Sequence, residues 1–189
     1  MSSAIVMNGK KGKNVDETIE LAKTIIASSK SYVMSQLQYL QNSVVVSLSN
    51  STLASIRFSR SKDWYGIIVP DPAAYPSVIP SKDSASFIHH GYGSQGAIVY
   101  FGTNKLGVQC VWLLAWAAPT DPSSTPNRVH VECGRSTNYT SIDWNTILNR
   151  LNASPTYNYF KDSITNATIA ADINPNGSFA LITADFGAV

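Results

Sequence analysis

Gly96-Ala97-Ile98-Val99-Tyr100-Phe101, then Val108 to Ala118 (VQCVWLLAWAA), then Arg128-Val129-His130-Val131-Glu132-Cys133 form three successive runs rich in β-branched and aromatic residues. Between them lie Gly102-Thr103-Asn104-Lys105-Leu106-Gly107 and the loop Pro119-Thr120-Asp121-Pro122-Ser123-Ser124-Thr125-Pro126, both built from turn formers. The same texture extends outward. Val44–Leu48, Ser55–Phe58, Tyr65–Val69 and Ser86–His90 precede this block; Thr168–Ile173 and Phe179–Phe186 follow it, with a turn at Asn174-Pro175-Asn176-Gly177 between the last two. Many short strands punctuated by Gly, Pro, Asn and Ser predict an antiparallel β-sandwich. Trp112, Leu114 and Trp116 alternate, so they share one face, and Trp112 is read as core.

Two helices are expected to flank the sandwich, giving an α+β, mainly β class. Val15, Ile19, Ala22, Ile26, Val33, Leu37 and Leu40 recur at helical spacing, with Asn14 or Asp16 available as cap and an interruption near Ser28–Ser31. A shorter helix fits Ser141–Asn152: Thr140 or Ser141 can cap it, Trp144, Ile147, Leu148 and Leu151 share a face, and Pro155 ends it. At 189 residues the chain fits a single domain, 1–189, with residues 1–13 as a basic tail.

Composition narrows the function classes. Charged residues make up 14% and the net charge is +2, too little and too scattered for the basic footprint of nucleic-acid binding. Cys110 and Cys133 lie in apolar runs and read as buried thiols. The N-terminus has no apolar signal-peptide core, which predicts cytosolic synthesis, and no run approaches the roughly 18 apolar residues of a membrane span. Any membrane role is therefore expected to be peripheral. The sequons at Asn50, Asn138, Asn152, Asn166 and Asn176 follow from an Asn- and Ser-rich composition. His89-His90 and His130 show no zinc-ligand spacing, so no metal is expected. No nucleophile elbow is present and no cofactor motif stands out, so an enzyme is not expected.

Trp64-Tyr65-Gly66, Tyr75-Pro76, Phe87-Ile88-His89-His90, Gly96 to Tyr100, Leu113-Leu114-Ala115-Trp116 with Pro119, and Glu132-Cys133-Gly134 resemble the plant jasmonate-induced proteins. The same block is more remotely similar to the actinoporin-like lipid-binding proteins, the actinoporins and the mushroom protein nakanori among them. That resemblance implies an actinoporin-like sandwich with a pocket for a phosphocholine headgroup. The matching stretches are Gly93-Ser94-Gln95-Gly96, Ala117-Ala118-Pro119 and Leu151-Asn152-Ala153-Ser154-Pro155. Ala117 replaces a family serine, Trp144 a tyrosine, and Leu148 and Asn149 a tyrosine pair. The implied headgroup site is Gly93, Gln95, Pro119 and Trp144, completed by Trp64, Tyr65, Tyr92 and Trp116 on or beside the same loops. The implied partner is sphingomyelin in cholesterol-containing membrane, bound without chemistry. Two other readings stand beside it: a carbohydrate-binding lectin, and a pore-forming cytolysin. Against the last, Asp16, Glu17, Glu20 and Lys23 suit a helix kept on the sandwich rather than one inserting into hydrocarbon.

Overall fold

The computed structural model describes residues 43–69, 74–120, 125–174 and 179–188. The expected N-terminal helix and most of the turn at 174–177 lie outside these. Nine strands run β1 (Ser43–Asn50), β2 (Ile56–Val69), β3 (Val78–Ile79), β4 (Ser84–Thr103), β5 (Gln109–Ala118), β6 (Arg128–Arg135), β7 (Tyr157–Lys161), β8 (Ala167–Ile173) and β9 (Phe179–Ala188). A 3₁₀ turn at Ser136–Tyr139 and the helix α1 (Trp144–Asn152) fall between β6 and β7.

Two pairs of expected strands are each one continuous strand. Ser55–Phe58 and Tyr65–Val69 are halves of the 14-residue β2, and Ser86–His90 and Gly96–Phe101 are halves of the 20-residue β4. The first half of β4 pairs with β1 from Ser84 to His90, and its second half pairs with β5 from Ser94 to Thr103. The strand therefore belongs to both layers. β2 follows it through the bend, absorbing the curvature at register shifts around Tyr65. Gly66 and Gly93 adopt φ +89° and +90°, a region that favours glycine, and a Cβ on Gly91 would lie 2.6 Å from Gly66 Cα. Beyond the bend, one layer continues β1-β9-β8-β7 and the other β5-β6. The β1–β9 pair is parallel, so the sandwich is not wholly antiparallel as expected.

The core lies between the layers. Val44, Val46, Ile169, Ala171, Ile182 and Ala184 pack with Trp112, Leu114, Trp116, Val129, Val131 and Cys133 in one buried cluster. Each large side chain removed from water there contributes about 1.5–3 kcal/mol. Trp112 Nε1 donates to Thr168 O and Gly187 O, each at 3.0 Å, joining β5 to the opposite layer through β8 and β9. Cys110 and Cys133 are buried free thiols, and burial pushes Cys133 up to about 12.

On the outer face of β4 and β5, Ala97, Val99, Val111, Leu113 and Ala115 are covered by Ile147 and Leu151 of α1. That helix starts three residues later than expected, because Asp143 rather than Thr140 or Ser141 caps it, accepting from Asn145 N and Thr146 N. β7 was not anticipated: Tyr157-Asn158-Tyr159-Phe160-Lys161 is largely exposed and lacks the apolar alternation that marks a half-buried strand.

Gly66→Ala should destabilise the fold by about 2 kcal/mol or more, since its Cβ would sit 2.7 Å from the buried His89 ring and 2.8 Å from His90 O in a strained conformation. Thermal denaturation checks this, with a fall of roughly 5 °C or more expected; an unchanged midpoint would mean the bend tolerates a side chain.

Candidate ligand-binding site

The bend in β4 brings one row of residues together across four strands. Tyr65 of β2 pairs with Gln95 of β4, Gln95 with Ala117 of β5, and Ala117 with Arg128 of β6. The small side chain of Ala117 leaves room in the middle of this row. A cavity of about 290 Å³ opens there, lined by Tyr65, Gln95, Ala117 and Arg128, by Tyr92, Gly93, Ser94, Ala118, Pro119, Thr120 and Thr125, and by Asn152 at the end of α1. Tyr65 and Tyr92 stand 66% and 88% exposed at its mouth. Arg128 is the one charged side chain among the described lining residues. It donates to Asn152 O, and its remaining guanidinium N–H groups are available to a ligand.

Five of the eight residues expected at the site, Tyr65, Tyr92, Gly93, Gln95 and Pro119, line this cavity. The other three do not. Trp116 is wholly buried: its Nε1 donates to Ser94 Oγ at 2.9 Å, its ring meets His89 edge-on at 5.3 Å, and it fills the space beside Gly96. Trp64 lies on β2 rather than on an exposed loop, and it packs T-shaped against Trp144 with ring centroids 6.3 Å apart. Both tryptophans border the α1 cluster, because the α1 face that carries Trp144 also carries Ile147 and Leu151. Thr120, Thr125 and Arg128 were not anticipated, and Asn152 was expected only as part of the stretch Leu151-Asn152-Ala153-Ser154-Pro155. Arg128 carries no local signal of its own, and only the β5–β6 register sets it opposite Ala117.

Beside the cavity runs a polar chain in which Tyr75, His89 and Ser94 are buried and Asp63 is partly exposed. Tyr75 donates its hydroxyl to Asp63 Oδ1 at 2.6 Å, His89 Nε2 lies 3.4 Å from the same oxygen, and His89 Nδ1 lies 2.8 Å from Ser94 Oγ. The His89–Asp63 contact is longer than a well-formed hydrogen bond. Burial raises the Asp63 carboxyl, but His89 and Tyr75 outweigh it and hold the group below the usual carboxylate range. Among the described residues no cluster of three or more His, Cys, Asp or Glu side chains is arranged to hold a metal ion, and no helix is long and apolar enough to cross a membrane.

Fold and cavity together define a β-sandwich protein with an open, tyrosine-rimmed cavity. No family model matches the sequence. A jasmonate-induced protein homolog of Atriplex canescens is 41% identical over 190 residues, covering 98% of this chain and 97% of that protein. The 23 kDa jasmonate-induced protein of Hordeum vulgare is 33% identical over 111 residues, 54% of this chain and 50% of that one. The chain belongs to the jasmonate-induced protein family. Its fold is that of the lipid-binding protein nakanori, whose crystal structure superposes with a TM-score of 0.68 at 17% identity over 89% of this chain and 79% of nakanori.

Trp64→Ala should cost roughly 2–3 kcal/mol of stability through the lost packing on Trp144, whereas Tyr92→Ala should leave the thermal midpoint nearly unchanged. Parallel melting curves test the assignment; equal midpoints for the two variants would return Trp64 to the surface.

Proposed function

We propose that this protein binds a phosphocholine lipid headgroup, above all that of sphingomyelin in cholesterol-containing membrane, and holds it without transforming it. The cavity carries the reading. It joins one guanidinium, suited to a phosphate, with two exposed tyrosine rings, suited to a quaternary ammonium within about 6 Å, and the described lining contributes no carboxylate to oppose the phosphate. Its size, about 290 Å³, stands at the small end of ligand sites and fits a headgroup better than a whole lipid. The acyl chains then stay in the bilayer. Tyr65 and Tyr92 at the mouth have the apolar bodies that membrane interfaces accept, with a polar tip. A fold shared with a lipid-binding protein fits the same picture.

A second reading, sugar binding, is favoured by Gln95, Asn152, Thr120 and Thr125, whose amides and hydroxyls beside a tyrosine platform also suit a monosaccharide. A glycan-array signal with no vesicle binding would select it. The cytolysin alternative depends on residues 1–42, which lie outside the described structure.

Flotation with sphingomyelin–cholesterol vesicles is the direct test. Free phosphocholine should compete, Tyr92→Ala should weaken binding by at least about 1 kcal/mol, and moderate salt should matter little because the headgroup is zwitterionic. Equal binding to vesicles lacking phosphocholine, or a fall of orders of magnitude between low and physiological salt, would overturn the proposal in favour of anionic partners.

A further inference from the structure

The layer β1-β9-β8-β7 has an outer face that the cavity does not use. Ile169, Ala171 and Ile173 of β8 and Ile182, Ala184 and Phe186 of β9 belong to the buried core, so the residues between them point the other way. On β7 the inner side is marked by Asn158, whose amide donates to Val129 O of β6, which leaves Tyr157 and Tyr159 on the outer side. Two rows then cross the strands. Tyr157 pairs with Asp172 of β8, Asp172 with Thr183 of β9, and Thr183 with Ser47 of β1. Tyr159 pairs with Ala170, Ala170 with Asp185, and Asp185 with Ser49.

This face is open. Tyr157 and Tyr159 are 56% and 53% exposed, Asp172 and Asp185 are exposed, and Ala170, Thr183, Ser47 and Ser49 are half-buried. The two tyrosines stand two residues apart, about 6.8 Å along the strand, close enough for one ligand to lie against both. Ala170, directly opposite Tyr159, is too small to cover its ring. The carboxylates differ in their partners. Asp185 Oδ1 accepts from the Ser51 hydroxyl, whereas no side chain among the described residues donates to Asp172. Its neighbour Ile173 N–H serves it, and that group also donates to Thr156 O. Burial raises the Asp172 carboxyl, because one shared donor does not offset the lost water.

The chemistry of the face narrows the ligand. Its charged strand residues are Asp172, Asp185 and Lys161, two carboxylates against one ammonium, which opposes nucleic acid and anionic lipid. Its apolar area is confined to β7, too little for a hydrophobic docking surface. Exposed rings beside a carboxylate short of donors suit a neutral saccharide. The C–H face of a sugar stacks on tyrosine, and its hydroxyls donate to Asp172 and exchange hydrogen bonds with Thr183, Ser47 and Ser49.

We propose that the outer face of β7, β8 and β9, centred on Tyr157, Tyr159 and Asp172, is a second binding site, which takes a neutral oligosaccharide. It shares no residue with the described lining of the cavity, so it goes beyond the headgroup reading and stands or falls without it.

The test offers neutral gluco-, galacto-, manno- and xylo-oligosaccharides, up to about millimolar, to the full chain in a titration calorimeter. At least one series should bind. Tyr157→Ala and Tyr159→Ala should each weaken that binding roughly tenfold, and Asp172→Asn, which keeps the shape and removes the charge, roughly threefold. All three positions are exposed, so thermal midpoints should stay nearly unchanged, as should binding to sphingomyelin–cholesterol vesicles. Should an alanine variant melt early, Asp172→Asn decides alone. Free phosphocholine should not compete with the sugar. Failure of every neutral series to bind overturns the proposal. So does a sugar that phosphocholine displaces, or one that all three variants bind as tightly as the native chain does, since the sugar then sits elsewhere. A chain that binds the sugar through β7 but binds no vesicle supports this site while the headgroup reading falls.

Discussion

The structure depends on a single strand that does not stop. Because β4 runs unbroken from Ser84 to Thr103, its hydrogen bonds to β1 and to β5 couple the two layers through one backbone, and β2 follows it through the bend. Such a turn of direction inside a paired strand favours residues without side chains: Gly66 and Gly91 stand where the backbones come closest, and Gly93 takes a positive φ. A polar chain from Tyr75 through Asp63 and His89 to Ser94 runs beside the bend.

The layer that leaves the bend has two faces with different work. Inward, Trp112 and Trp116 fill the sandwich; the Trp112 indole N–H reaches across the core to Thr168 O and Gly187 O, and that of Trp116 donates to Ser94 Oγ on the neighbouring β4. Outward, α1 covers the apolar part, and past its last turn the sheet is left bare at Gln95, Ala117 and Arg128. The cavity is thus the uncovered end of a face that the helix is too short to close. Its chemistry follows from what the neighbouring edges contribute: tyrosines from the bend, hydroxyls from the loop after Pro119, and a guanidinium from β6. α1 meets β6 through charged and hydrogen-bonding groups around Glu132 rather than through apolar packing alone.

Much of this was legible in the chain. Alternation and turn chemistry locate most strands to within a few residues, Trp112 in the core, and a helix ending before Pro155. The quoted motifs led to the family, and Tyr65, Tyr92, Gly93, Gln95 and Pro119 were found at the cavity because they flank the glycine-rich bend and the proline turn. The strand joins were hidden, because Ser59 to Asp63 and Gly91 to Gln95 are polar or glycine-rich and read as loops, although pairing with neighbours keeps them extended.

What the sequence by itself determined is the alternation that separates a buried face from a wet one, the glycines that permit a bend, and the small residue at Ala117. Tertiary structure alone decided the burial of the other three tryptophans. Trp64, Trp116 and Trp144 have the composition of a binding rim, yet the first and last close over the α1 cluster and the second fills the sandwich, because packing depends on neighbours distant in the chain. Arg128 entered the site for the converse reason. A single arginine after a proline-rich loop has no meaning until the β5–β6 register sets it beside Ala117 and the end of α1 lowers Asn152 onto it.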